Sequence, residues 1–113
     1  GFKQAGIFVA EDTQRLKPLL AIVADPGKNI EVRAGVSALL ESYSNAPPLL
    51  NLLPQLGELT RHADHRVRAD ACHLLGLTGS AAARPYLDQC INDSSEEVRE
   101  IAGESLQLID YTK

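Results

Sequence analysis

A Val-Arg pair recurs three times in this chain in the same setting, and that recurrence limits the fold more than any other feature. The segments IEVRAGVSALL (30–40), HRVRADACHLLG (65–76) and EEVREIAGESL (96–106) align on Val32, Val67 and Val98, which lie 35 and 31 residues apart. In each, a small or apolar residue stands four places after the Val, and Leu-Leu or Ser-Leu stands seven and eight places after it. Upstream, Pro-x-Leu begins at Pro18, Pro54 and Pro85, which precede their Val by 14, 13 and 13 residues, and Asp25, Asp64 or Asp93 falls between the two marks. A period of this size belongs to chains built from stacked supersecondary units, each too small to bury its apolar face alone.

Apolar residues three and four apart follow each proline and each Val-Arg, so every unit reads as a pair of amphipathic helices. Pro85 suits the first turn of a helix, where its missing N–H would be unpaired in any case. Pro18 and Pro54 follow residues that read as helical, which predicts a kink there. Asp64 is placed to cap the helix of Val67. Ser94-Ser95-Glu96-Glu97 reads as a capping box in which Ser94 and Glu97 exchange hydrogen bonds. The breakers SNAPP and GLTGS separate the pairs as short turns. The expected units are 1–11, an N-terminal helical remnant or cap, then repeats at about 12–44, 47–78 and 81–110, then a tail at 111–113.

With 113 residues, 44% of them hydrophobic, the chain can bury one modest core. Only 4% are aromatic and Trp and Met are absent, so that core is aliphatic. No apolar run is long enough to cross a membrane, and no signal-peptide pattern is present. A net charge of −4 argues against a nucleic-acid partner, whose phosphates call for a basic face. Cys72 and Cys90 form no CxxC pair, which fits a reduced, cytoplasmic setting. The start at Gly1 inside ordered-looking sequence and the polar finish QLIDYTK point to a C-terminal domain of a larger bacterial protein. Phe2, Ile7 and Phe8 are placed to cover the open end of the first pair.

The pattern P-x-L, then D, then VR-x-x-A-x-x-L-L, resembles the HEAT repeats, in the form related to phycobilin-lyase-type repeats, from about Asp12 to Leu108. The first repeat departs from it through the longer loop DPGKNIE and the missing Leu-Gly ending. The resemblance implies an all-α, right-handed α-α superhelix, or solenoid, of about three helix pairs. The run VRADACHLLGLTG followed by VREIA more narrowly resembles the C-terminal part of bacterial thioredoxin-like proteins fused to HEAT repeats.

In such stacks the loop Asp and the Arg form a ladder between repeats, which here implies Asp25, Asp64 and Asp93 with Arg33, Arg68 and Arg99. The competing reading is an Arg cluster for an anionic ligand. At about 100° per residue, Val67, Ala71, Leu74 and Leu75 share a core-facing side, while Ala69, Cys72, His73 and Gly76 fall on the far side. The resemblance implies that second helices line a concave surface. Ala34, Ser37 and Ala38, then Ala69, Cys72 and His73, then Glu100, Gly103 and Glu104 would form one strip across it, the surface that solenoids offer to extended partners.

Within that strip Cys72-His73 is the most distinctive chemistry. A metal site needs three or four converging ligands, yet adjacent helical residues diverge by about 100° and the His62/His65 pair spans a loop. A nucleophilic Cys72 needs a base aimed at its sulfur, and His73 points elsewhere. No metal, cofactor or catalytic set is therefore expected. A free Cys behaves as a small hydrophobe, and Cys90 reads as core. No His-Glu dipeptide of the metal-dependent hydroxylases of this architecture is present, nor the basic, aromatic face of its base-excising members. The expectation is a non-catalytic module that binds a protein partner. The alternatives are an accessory part of a thiol-redox protein or a phycobilin-lyase-like enzyme.

Overall fold

The computed structural model describes residues 2–111, with side chains described for 9–110. The contacts expected of Phe2, Ile7 and Phe8, and the tail at 111–113, lie outside the described side chains. Among the described residues the chain is helical, with no strand. It runs through α1 (Phe2–Leu16), α2 (Leu19–Val23), α3 (Ile30–Glu41), α4 (Pro47–Leu50), α5 (Leu53–Leu59), α6 (His65–Leu77), a 3-10 turn (Ala81–Ala83), α7 (Arg84–Cys90) and α8 (Glu96–Tyr111). α1 passes unbroken through residues 11 and 12, so the first unit starts inside a helix.

These elements form an all-α solenoid of two layers. One layer holds α1/α2, α4/α5 and the 3-10 turn with α7; the other holds α3, α6 and α8, each packed on the first helix of its own unit. The smallest principal extent, 19 Å, is that of two helices stacked side to side. Each first helix is interrupted near its proline. α1 stops at Leu16 and Pro18 immediately precedes α2. Pro54 lies in the first turn of α5, as Pro85 does in α7, so the kink expected at Pro54 is instead a full stop after Leu50 and a new start at Leu53. A proline in a first turn needs no N–H partner, so the restart costs no hydrogen bond.

Both links between units use a left-handed residue, Asn45 at φ 60° and Gly79 at φ 67°. Gly has no Cβ to clash there, and Asn is among the side chains that tolerate it. The first link also closes the end of α6: the Asn45 N–H donates to the Leu77 carbonyl at 2.7 Å.

Leu20, Leu40, Leu56, Leu75, Leu87 and Ile109 are among the buried core residues, which join all three units. Packing between second helices is uneven. α8 lies along α6, whereas α3 meets α6 at only a few points. As a result Val67 and Val98 are fully buried while their counterpart Val32 is 47% exposed, and Leu74 is buried while Leu39 is 47% exposed.

Candidate functional site

Each second helix begins on the same piece of local chemistry. The loop Asp accepts the N–H two residues on: Asp25 from Gly27 at 2.9 Å, Asp64 from Arg66 at 2.8 Å, and Asp93 from Ser95 at 2.9 Å. The repeated Arg then reaches back to carbonyls at the bend of its own unit. Arg33 donates to Val23 at 3.2 Å, Arg68 to both His62 and Ala63 at 2.9 Å, and Arg99 to Asp93 at 2.7 Å. Carbonyls released at the end of a helix need such donors. The recurring Asp and Arg are thus first of all the two seals of the bend.

Between units, one expected rung forms. Arg68 Nε and Nη2 meet Asp93 Oδ2 and Oδ1 at 2.9 and 3.0 Å, both side chains mostly buried. Those hydrogen bonds hold the Asp93 carboxyl below its ordinary pKa. The other rungs do not form. Asp64 is taken by its near neighbour Arg66, which grips both of its oxygens and lowers its pKa. Arg33 turns to Asp70 on α6 at 2.9 Å, and its buried Nε is left without a partner, where the Nε of Arg68 has one. Burial raises the pKa of Asp70, opposed by the charge of Arg33. Among the described residues Asp25 and Arg99 meet no ion-pair partner across units; each serves its own bend.

The caps follow loop length. The longer first loop moves the cap to Asn29, whose side chain accepts from Glu31 at 2.7 Å. The capping box expected of Ser94 and Glu97 is displaced by one residue. α8 starts at Glu96, and Ser95 accepts from Val98 at 3.4 Å. Val98 then holds the place where a carboxylate would reach back.

The predicted strip divides into two sets. Ala38, His73 and Glu104 are exposed as expected, but Ala69 and Cys72 are buried. The reason is stacking: the far side of α6 is covered by the next unit. There Gly76 faces Ser105 of α8 so closely that a Cβ on it would lie 2.7 Å from the Ser105 Cβ. Cys72 lies near Cys90 of α7, both free thiols. The neighbouring thiol and burial keep the Cys72 thiol protonated, well above its ordinary pKa, while Cys72 in turn lowers that of Cys90. Cys72 is therefore core. The counterparts Ala34 and Ser37 on α3, and Glu100 and Gly103 on α8, carry no such covering layer and are exposed or half-buried.

Two of the exposed set, His73 and Glu104, line an open groove of about 390 Å³ together with Ile101, Ser105 and Leu108. His73 Nε2 also meets Glu41 Oε1 of α3 at 3.1 Å, so all three second helices contribute to this surface. Its lining is an apolar pair, Ile101 and Leu108, beside Glu104, Ser105 and His73, with no Lys or Arg, and Glu41 stands behind His73. Glu41, Ile101 and Leu108 were absent from the sequence-derived strip. Extending that strip one turn along α3 and α8 would have reached Glu41 and Leu108. Among the described residues no three His, Cys, Asp or Glu side chains gather as metal ligands, and no helix is long and apolar enough to cross a membrane.

A two-layer stack of helix pairs with sealed bends defines an α-solenoid. Residues 16–107 match the family described as HEAT repeats, which spans most of the chain, and the chain belongs to that family. Comparisons with curated proteins and with solved structures found no match.

Proposed function

We propose that this chain is a protein-interaction module that seats a segment of a partner protein in the groove between α6 and α8. HEAT repeats commonly act as protein-interaction scaffolds, which supports the class. The observation that carries the reading is the groove itself: Leu108, exposed, and Ile101 lie beside Glu104 and His73 on rigid helices. Apolar anchors within a polar rim are how interfaces are built. The matching partner segment presents an apolar side chain flanked by Lys or Arg.

A photo-crosslinking residue placed at 104 in cells should trap a discrete partner that the same residue at Gln89, exposed on α7, does not trap. His73→Glu and Glu104→Lys should each weaken binding of the identified partner with helicity unchanged. Equal trapping at both positions, or unaltered binding by both variants, would remove the site from this groove. The two narrower likenesses carry their own readouts: bilin uptake for a phycobilin-lyase-type enzyme, and thiol–disulfide turnover by the parent protein for a thioredoxin-like one.

A further inference from the structure

We propose that the seam between α2 and α5 is a second binding site, one that takes the phenol ring of a tyrosine carried by a partner polypeptide. A pocket of about 270 Å³ opens there, with Ala21 and Ala24 on one wall, Gln55 and Leu59 on the other, and the exposed Lys17 and Glu58 at its edge. Both walls belong to the first-helix layer, apart from the groove between α6 and α8, so the inference stands independently of the reading above.

The next seam of the same layer supplies the template. There Gly57 of α5 faces Tyr86 of α7, and a Cβ on Gly57 would lie 2.5 Å from Cζ, the ring carbon that bears the Tyr86 hydroxyl. The Tyr86 ring lies in that seam and packs against the core. Counted from the prolines at 18, 54 and 85, Ala21 holds the repeat position of Gly57, and Gln55 that of Tyr86. Gln55 has no ring, so the place that Tyr86 takes in one seam stays open in the other. Ala21 carries the Cβ that Gly57 lacks, so an incoming ring cannot sit as deep as Tyr86 does.

The polar groups set the chemistry of the occupant. Gln55 Oε1 is buried and has no hydrogen-bond partner. Buried polar groups are ordinarily paired, so this oxygen calls for a donor. Rotation of the amide presents it to the pocket, where a phenol O–H can donate to it. A phenol oxygen also accepts, so the match holds whichever way the amide is turned. Lys17 and Glu58 carry opposite charges, which favours a neutral occupant over an ion. Lys17 adds a cation for the face of the ring, and Glu58 a further acceptor for its hydroxyl. Phenylalanine would leave the amide unpaired. The ring in the neighbouring seam is borne on a polypeptide, which points to tyrosine rather than to a free phenol.

N-acetyl-tyrosinamide titrated to its solubility limit into isotope-labelled protein should give saturable NMR shifts of the backbone amides at 21–24 and 55–59. N-acetyl-phenylalaninamide should bind at the same place about fivefold more weakly, the loss of one hydrogen bond. Gln55→Tyr supplies the ring from the chain itself, and Ala21→Leu closes the pocket from the other wall. Each should abolish the shifts with helicity unchanged. The absence of saturable shifts at those amides, shifts that persist in both filled variants, or equal binding of the phenylalanine compound would each overturn the proposal. Binding of p-cresol without binding of N-acetyl-tyrosinamide would overturn it too, and would give the pocket to free phenols.

Discussion

Arg68 and Asp93 grip each other with two parallel hydrogen bonds across the boundary between the second and third units, while Arg68 also holds two carbonyls of its own bend. One guanidinium thus ties the inside of a unit to its neighbour. A fork meeting both oxygens of a carboxylate is the strong form of ion pair, and removing one partner leaves the other mostly buried and uncompensated.

Arg68→Ala should therefore destabilise the fold by about 2–4 kcal/mol in chemical denaturation, with Arg68→Lys recovering only part of the loss. Arg99→Ala, which loses one carbonyl contact at an exposed end, should cost much less. Equal midpoints for Arg68→Ala and the parent would show that the rung contributes nothing.

The same rung sets a dependence on pH. Because Arg68 depresses the folded-state pKa of Asp93 below the unfolded value of about 3.9, the stability it contributes is complete above that value. It is lost as the pH falls through the folded pKa. The deficit of Asp93→Asn relative to the parent should be constant near neutrality and narrow on acidification, as urea titrations over a pH series would show. A deficit that widened in acid would contradict the assignment.

Gly76 and Gly103 occupy helices of the same repeat position class yet should respond oppositely. A side chain at 76 meets Ser105, including its Cα at 3.0 Å, so Gly76→Val should cost about 1–3 kcal/mol by forcing α6 from α8. A side chain at 103 meets nothing, so Gly103→Ala should gain about 0.5–1 kcal/mol from helix propensity alone. Thermal melts of the two variants decide the point.

Cys72 and Cys90 should resist alkylation in the native protein, because both are buried and Cys72 is held as the thiol. Labelling followed by mass spectrometry should track global unfolding in rising denaturant. Fast native labelling of Cys72 would instead indicate an open path to its sulfur.

His73 and Glu41 are each about half exposed, and an exposed pair contributes at most about 1 kcal/mol. His73→Ala should leave the melting temperature nearly unchanged, which makes the groove editable without loss of fold. A large drop would assign His73 to the scaffold.

Spacing along the chain was enough for the repeat and its period, the helix pairs, the core side of α6 and the cap at Asp64; the Asp and Arg residues it marked as a ladder turned out first of all to seal the bends. All of these rest on local spacing: hydrophobic periodicity, a loop Asp beside a helix start, a proline where an N–H is dispensable. It also named His73 and Glu104, which the structure brings to one groove, because exposure on a helix follows from the same periodicity. Which far-side positions stay open depended on how the units stack. Ala69 and Cys72 look as polar-facing as Ala34 and Ser37 by angle, and differ only because another unit lies over them. Tertiary structure likewise decided the ion pairs. Asp64 faced a choice between a distant Arg33 and an adjacent Arg66, and the adjacent group closed on it at little entropic cost, leaving Arg33 to Asp70. Periodicity reports how a helix is turned toward its own core; which neighbour lies against its back depends on how units stack, and that is settled by contacts between residues far apart in the chain.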